Sequence, residues 1–259
     1  MRTLSASELL GVWERGRVQG PIEQALLLLA TACPDASADE LDCLPIGLRD
    51  HALLVLRESV FGSSISSVVE CPRCGERLEL AFDAAELCRD PHSDAVAIKA
   101  DAESEGTLFL DIEGYALRFR CVNSQDLAAL QRQAVAADDP GRQPGRYTLL
   151  ERCVLTAQRD GDPVPVRSLP GNVVDALESR MAQADPHADL RLAVSCPGCR
   201  LQWHAVFDIV SFFWTEIDTW AKRILHEVHV LARAYGWREQ DILNLSPLRR
   251  QCYIDMVGV

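Results

Sequence analysis

The sequence predicts an α+β chain, predominantly helical, in which a discontinuous β module built on two Cys-x-x-Cys turns encloses an inserted α/β subdomain and a long helix follows. Three observations predict it. Apolar residues recur at helical spacing at both ends of the chain. The period changes to two around Cys71–Cys74 and Cys196–Cys199, and those two stretches are copies of one another at a fixed offset of 125 residues. With 48% apolar and 25% charged residues in 259, the composition is that of a globular protein able to bury a sizeable core.

The helices come first. Ser5 with Glu8 forms a capping-box pattern ahead of Leu9, Leu10 and Trp13, and Ser37 with Glu40 repeats it. Pro21 opens a run through Ile22, Ala25, Leu26 and Leu29 that Pro34 stops, and Pro45 suits the first turn of a helix carrying Leu48, Leu53, Leu56 and Val60, which Gly62 ends. Residues 1–62 are therefore an N-terminal helical region. Ser64 to Glu70 is β-rich, and beyond Cys71-Pro72-Arg73-Cys74-Gly75 the residues Leu78, Leu80 and Phe82 alternate as in a strand.

The middle of the chain, residues 85–189, reads as the inserted subdomain. Residues 89–105 are polar without a period and read as a loop. Thr107–Ile112 and Ala116–Val122 flank Glu113-Gly114-Tyr115 as a hairpin, and Asn123 and Ser124 can cap a helix carrying Leu127 and Leu130. Residues 138–145, rich in Asp, Pro and Gly, form the clearest linker, and helices follow through Leu149–Leu155 and Val173–Met181. Strands at Leu190–Val194 and Gln202–Phe207 then flank the second cysteine pair. Asp208 caps the longest helix, which runs to about Tyr235 before Gly236, and Ser246-Pro247 starts a short last helix within the C-terminal region 209–259.

The repeat carries the chemistry. Glu70, Cys71, Pro72, Cys74, Leu78, Phe82 and Asp83 overlie Ser195, Cys196, Pro197, Cys199, Trp203, Phe207 and Asp208. Each copy is strand, knuckle, strand, then an aspartate able to start a helix. Two residues between thiols let one tight turn aim both sulfurs at one metal, and the turn's N–H groups can offset the thiolate charge. Gly75 tolerates positive φ just after the second sulfur, whereas the second knuckle has Arg200 there. Cys71, Cys74, Cys196 and Cys199 together fill a tetrahedron and leave nothing open for water, so a bound zinc is structural; the thiol set itself would also take iron. The pairs are separated by 121 residues. Closing such a loop costs about 4 kcal/mol of chain entropy, against the ~10–16 kcal/mol a structural zinc supplies. The zinc ribbon is therefore discontinuous, residues 63–84 with 190–208.

Other readings are weaker on physical grounds. A redox Cys-x-x-Cys sits at a helix start in a βαβ unit, and neither copy does. Cys88 and His204 lie near the knuckles, but four better-placed thiols exist. Cys33, Cys43, Cys121, Cys153 and Cys252 sit among apolar neighbours and read as small packing residues. His226-Glu227-Val228-His229 spaces its histidines three apart, one short of the zincin helix. With no nucleophile elbow, P-loop or dinucleotide fingerprint, the chain reads as a non-enzyme. Lys and Arg total 26 against 38 Asp and Glu, a net charge of −12 that repels phosphate and argues against a nucleic-acid binder. A zinc-ribbon nucleic-acid-binding or transcription-associated module is the alternative. No apolar run approaches the ~20 residues of a membrane span, and the start lacks a signal-peptide pattern, so the expectation is a reduced, soluble, cytoplasmic protein.

In the C-terminal helix Ile209, Phe213, Ile217, Trp220, Ile224, Val228, Leu231 and Tyr235 define one apolar face, expected to pack on the N-terminal helices. Phe212, Trp214 and Trp237 add aromatic area partly off that stripe, of the kind that docks a partner protein.

The opening Leu4-Ser5-Ala6-Ser7-Glu8-Leu9-Leu10, the two Cys-Pro-x-Cys knuckles and the ending Ala234-Tyr235-Gly236-Trp237, Asp241-Ile242-Leu243, Arg249-Arg250 and Tyr253 together resemble the T4-type phage baseplate protein family. That family includes a baseplate hub assembly protein and relatives in bacterial gene clusters for phage-tail-like contractile particles. The resemblance implies a role in building, or sitting within, a contractile-tail baseplate hub, with baseplate or hub proteins as partners. It places the protein in the bacterial cytoplasm during assembly or in the finished particle. It transfers no catalytic residue, and only the four knuckle cysteines map as a binding site.

Overall fold

The computed structural model describes residues 1–88, 106–136 and 145–258. The loop expected over 89–105 lies outside them, as does the linker expected over 138–145 apart from Gly145. The chain is a mixed α+β protein. It begins with α1 (Ala6–Gly16), α2 (Pro21–Ala32), α3 (Ala38–Cys43) and α4 (Ile46–Phe61), then β1 (Ser64–Glu70), β2 (Arg77–Asp83) and the short α5 (Ala84–Cys88). Next come β3 (Thr107–Ile112), β4 (Tyr115–Arg120), α6 (Ser124–Ala136), α7 (Arg146–Cys153), β5 (Val154–Arg159), β6 (Asp162–Pro163) and α8 (Gly171–Ala184). It closes with β7 (Arg191–Ser195), β8 (Gln202–Val206), α9 (Ile209–Tyr235), α10 (Glu239–Leu243) and α11 (Pro247–Val257).

These elements pack as two compact units, Met1–Ser37 with Asp208–Val259, and Ala38–Phe207. The boundary falls inside the N-terminal helical stretch, between α2 and α3.

In the first unit the helix ends obey their caps. The Ser5 N–H donates to Glu8 Oε2 at 2.9 Å and the Glu8 N–H donates back to Ser5 Oγ, satisfying donors that the first turn of α1 would leave orphaned. The Asp208 carboxylate accepts from the N–H groups of Val210 and Ser211 at the start of α9, and Gly236 ends that helix in the left-handed conformation. Ile209, Phe213, Ile217, Ala221, Ile224, Val228 and Leu231 form the buried stripe of α9, which packs on α1 and α2. The Trp13 indole N–H reaches Asp218 Oδ1 at 2.9 Å from within that contact. The stripe is shorter than its sequence pattern suggests: Trp220 is half-buried and Tyr235 is 38% exposed. α9 also packs on α10 and α11, and at its end Tyr235 turns to Trp237, just before α10, and to Tyr253 of α11.

In the second unit a four-stranded antiparallel sheet, ordered β3-β4-β5-β6, supplies one face of a core made by Tyr115, Leu117, Phe119, Leu150, Ala157, Leu169, Val173, Val174 and Leu177. The predicted hairpin is present, with Ile112 opposite Tyr115 across the two-residue turn Glu113-Gly114. The helix expected through Leu155 instead stops at Cys153, and Val154–Arg159 pairs with β4. Two local preferences favour that outcome. Val154 and Thr156 are β-branched. The following Asp160-Gly161 has φ of 51° and 96°, the double positive pair that a tight hairpin turn into β6 requires. Cys153 is buried as expected, whereas Cys43 and Cys252 are exposed, contrary to their apolar sequence neighbourhoods.

A buried carboxylate ties this unit together. Asp126, fully buried on α6, accepts from Arg120 of β4 at 2.5 and 3.0 Å, from Arg152 Nε of α7 at 2.9 Å and from the Asn123 N–H at 3.2 Å. The Asn123 side chain accepts the Asp126 N–H in return, so the first turn of α6 is closed from both sides. Burial alone would raise the Asp126 carboxyl, but Arg120, the Asn123 N–H and Arg152 outweigh it and hold it below the ordinary carboxylate range. A second long-range carboxylate, Asp185, accepts the Gly47 N–H at 2.8 Å and so caps α4 from 138 residues away.

Candidate metal centre

The knuckles are built alike. Cys71 to Cys74 turn between β1 and β2, and Cys196 to Cys199 between β7 and β8. In the first, the Gly75 N–H donates to Cys71 O and the Cys71 N–H to Glu76 O, both at 2.9 Å. In the second, Arg200 N–H to Cys196 O and Cys196 N–H to Leu201 O repeat the pair at the same 2.9 Å. The residue closing each turn is left-handed, Gly75 at φ 73° and Arg200 at φ 58°. Arg200 therefore adopts the glycine conformation in spite of its side chain, at a cost of about 1–2 kcal/mol. Arg200→Gly relieves that strain and gives back about 0.4–1 kcal/mol through greater freedom of the unfolded chain. A rise in melting temperature of about 1–3 °C is expected by calorimetry.

The four predicted thiols come together. Cys71 Sγ lies 3.5 Å from Cys199 Sγ, Cys74 Sγ lies 3.6 Å from Cys196 Sγ, and all four sulfurs lie within 4.8 Å of one another. A tetrahedron with metal–sulfur bonds of about 2.3 Å has edges of about 3.8 Å, so these separations fit one ion held by all four. The thiols are free. Cys71 and Cys196 are 3% and 1% exposed, Cys199 is half-buried and Cys74 is at the surface.

The halves also meet through matched positions of the repeat. Phe82 and Phe207, 125 residues apart like the cysteines, pack edge-to-face at 5.5 Å. Glu76 from the first knuckle extends over Gly198 in the second, where its carboxylate accepts the Cys196 thiol at 3.4 Å. The sequence pattern singles out none of these cross-contacts beyond the thiols, although the equal offset of the two phenylalanines is the signal that would have found that pair. Each half remains its own two-stranded antiparallel sheet, β1-β2 and β7-β8.

The electrostatics suit a cation. Burial opposes ionisation of Cys71, yet the N–H groups of Cys74 and Arg73 aimed at its sulfur, with the Cys199 and Cys74 thiols, outweigh it and bring the thiol down to about 6. The Cys199 N–H favours the Cys196 thiolate, but burial and the three neighbouring thiols prevail and push that thiol up to about 12. Cys74 is raised as well: the Glu76 N–H and Cys196 favour its thiolate, and Cys71, burial and Cys199 outweigh them. The Cys71 proton leaves readily while those of Cys74 and Cys196 are held, the behaviour of a coupled set whose full ionisation needs a positive ion at its centre.

The remaining sequence candidates lie elsewhere. His204 is exposed on β8, opposite Ala193, and is not part of the thiol cluster. The Cys88 side chain falls outside the described residues. His226 and His229 are exposed on α9, and Glu227 between them accepts from Arg250 Nε at 2.9 Å. Among the described residues the four cysteines form the one group of three or more His, Cys, Asp or Glu placed to hold a metal ion.

Fold and site together define a mixed α+β protein with a four-thiol centre joining two hairpins. The model of the T4 bacteriophage base plate protein family matches residues 4–214, most of the chain and both knuckles. The chain belongs to that family. No curated protein and no solved structure matches it.

Proposed function

We propose that this chain is a non-enzymatic assembly factor or structural component of a contractile, phage-tail-like baseplate hub, working through protein–protein contacts and stapled by a structural zinc. Cys71, Cys74, Cys196 and Cys199 are the metal ligands. The ribbon is split, residues 63–84 with 190–208, and residues 85–189 are the subdomain inserted between its halves. The observation that carries this reading is the convergence of the four thiols, from two hairpins far apart in sequence, in a chain of the base plate family. Zinc bound by all four has no open position for water or substrate, so its contribution is to fix the two hairpins against each other. The chain's own residues prepare the site: backbone N–H groups stabilise the thiolates, and the Phe82–Phe207 pair holds the hairpins in register. No described helix is long and apolar enough to cross a membrane.

The test is co-purification with the baseplate proteins encoded by adjoining genes. Stoichiometric recovery of at least one tail or hub protein is the expected result. Recovery of none, or tight DNA binding with a steep salt dependence, would overturn the proposal.

A further inference from the structure

Within the second unit the two hairpins are also joined at their bases, away from the thiols. α4 leads into β1, and Arg57 near the end of α4 donates to the carbonyls of Gly62 and Ser64 at 2.7 and 2.8 Å. The short 3-10 helix Pro186–Asp189 leads into β7. The Leu190 carbonyl directly after it accepts the Phe207 N–H at 2.8 Å, which ties that turn to the second hairpin. The turn packs on α4. Asp185 Oδ2 accepts the Gly47 N–H, and the approach is so close that a Cβ at residue 47 would collide with the Asp185 carboxylate and the Ala188 backbone. One helical turn along α4, His51 meets His187, with ring centroids 4.9 Å apart and planes tilted by 56°.

This pair of rings is poorly placed to carry charge. His51 Nδ1 is buried and has no hydrogen-bond partner among the described residues. A neutral imidazole can leave Nδ1 unprotonated, whereas an imidazolium carries a proton on both nitrogens and would bury a donor with no acceptor. The second ring titrates in the same range, so protonating both also sets like charges against each other. The charged groups around the pair do not remove that conflict. From α4, the buried Arg49 donates to Asp50 and to Ser124 of α6. From the turn, Asp189 is engaged by Arg191, and Asp185 interacts with His187 rather than with His51. Glu86 of α5 lines a cavity that His187 also lines, and Arg180 of α8 acts on Cys121 in the same wall.

We propose that His51 and His187 form a pH-sensitive latch between α4 and the Pro186–Asp189 turn, closed while the rings are uncharged and loosened when both are protonated, so that the junction at the base of the two hairpins yields in mild acid. The latch needs neither the metal nor a baseplate partner. Burial, and then the charge of His187, hold the His51 ring below the ordinary imidazole value. The folded chain therefore binds fewer protons here than the unfolded one. The stabilisation is fully present above the ordinary imidazole value and is lost as the pH falls from there through the folded value. Asp185 acts with the opposite sign: burial raises its carboxyl against the Gly47 N–H and the charges of His187 and Arg49, so acid relieves it. Loosening in mild acid is thus the signature of the histidines.

The experiment is hydrogen exchange read by mass spectrometry on the full chain, comparing the wild type with His51→Gln and His187→Asn at about pH 7.5 and about pH 5.5, on either side of the imidazole range. Each rate is divided by the intrinsic rate at that pH, and proteins are compared at the same pH, so any release of metal in acid acts on all alike. In the wild type, peptides covering residues 46–52 and 185–191 should lose protection at least about fivefold in acid. Both variants should keep the same protection at the two pH values. Proton NMR supplies a second readout that does not depend on His51→Gln folding: the His51 ring should titrate below the ordinary value in the wild type and move up towards it in His187→Asn. Equal wild-type protection at both pH values, or a loss as large in His187→Asn, would overturn the latch. So would a His51 titration that the removal of His187 leaves unmoved.

Discussion

Cys196→Ser is expected to abolish stoichiometric metal binding and to leave the second unit without a stable fold. Cys196 is 1% exposed and its sulfur lies 3.6 Å from Cys74, so the serine oxygen would sit in the same place without the soft, ionised donor that zinc prefers. A structural zinc contributes about 10–16 kcal/mol of apparent binding energy, which matches or exceeds the roughly 5–15 kcal/mol by which a whole domain is stable. The Phe82–Phe207 contact between the two hairpins would remain, but the Cys196 thiol that Glu76 accepts would be gone with the metal. Zinc content by elemental analysis and a circular dichroism melt check the outcome. Cys252→Ser, at an exposed position on α11, is the control that should change neither. A Cys196→Ser protein that melts like the wild type would show that the thiols contribute little to the fold.

The second large effect is expected at Asp126. Asp126→Ala removes the acceptor for Arg120, Arg152 and the Asn123 N–H at one stroke, leaving partly buried cations and a helix start unpaired. Breaking a buried ion pair from one side costs about 3–5 kcal/mol, a shift of roughly 6–20 °C in melting temperature for a unit of this size. The pH dependence follows from the sign of the shift. The folded carboxyl ionises below the ordinary carboxylate range, so its contribution is fully present at neutral pH and is lost as the pH falls through the folded value. The wild type should therefore lose stability in acid more steeply than Asp126→Ala, and melts at pH 7 and about pH 3 measure the difference. Parallel acid profiles would contradict the assigned role.

Much of the local structure was legible because it is written in short-range rules. The Ser5–Glu8 box, the Asp208 cap and the Gly236 stop each act within four residues, and each is found where the pattern puts it. The convergence of the four thiols was legible for a different reason: the 125-residue offset repeats not only the cysteines but the strands and aspartates around them. β5 was missed because a short run, Val154–Arg159, follows directly on a helix and carries no break, and Asp160-Gly161 was the overlooked turn signal. Tertiary partners had no such signal. Nothing near Gly47 announces that its N–H is capped by Asp185, and nothing near Asp126 names Arg152. The grouping of α3 and α4 with residues up to Phe207 rests on contacts of that kind, so a boundary drawn from helical pattern alone at residue 62 does not coincide with the packing boundary after Ser37. Exposure is equally non-local: Cys43 and Cys252 have apolar neighbours in sequence and solvent in space.

The most direct measurement is the metal content and absorption-edge spectroscopy of protein purified without chelators or an affinity metal. One zinc per chain, surrounded by four sulfurs at about 2.3 Å, is the predicted result. A chain free of metal, or an ion whose shell includes nitrogen or oxygen in place of a cysteine sulfur, would contradict the centre formed by Cys71, Cys74, Cys196 and Cys199.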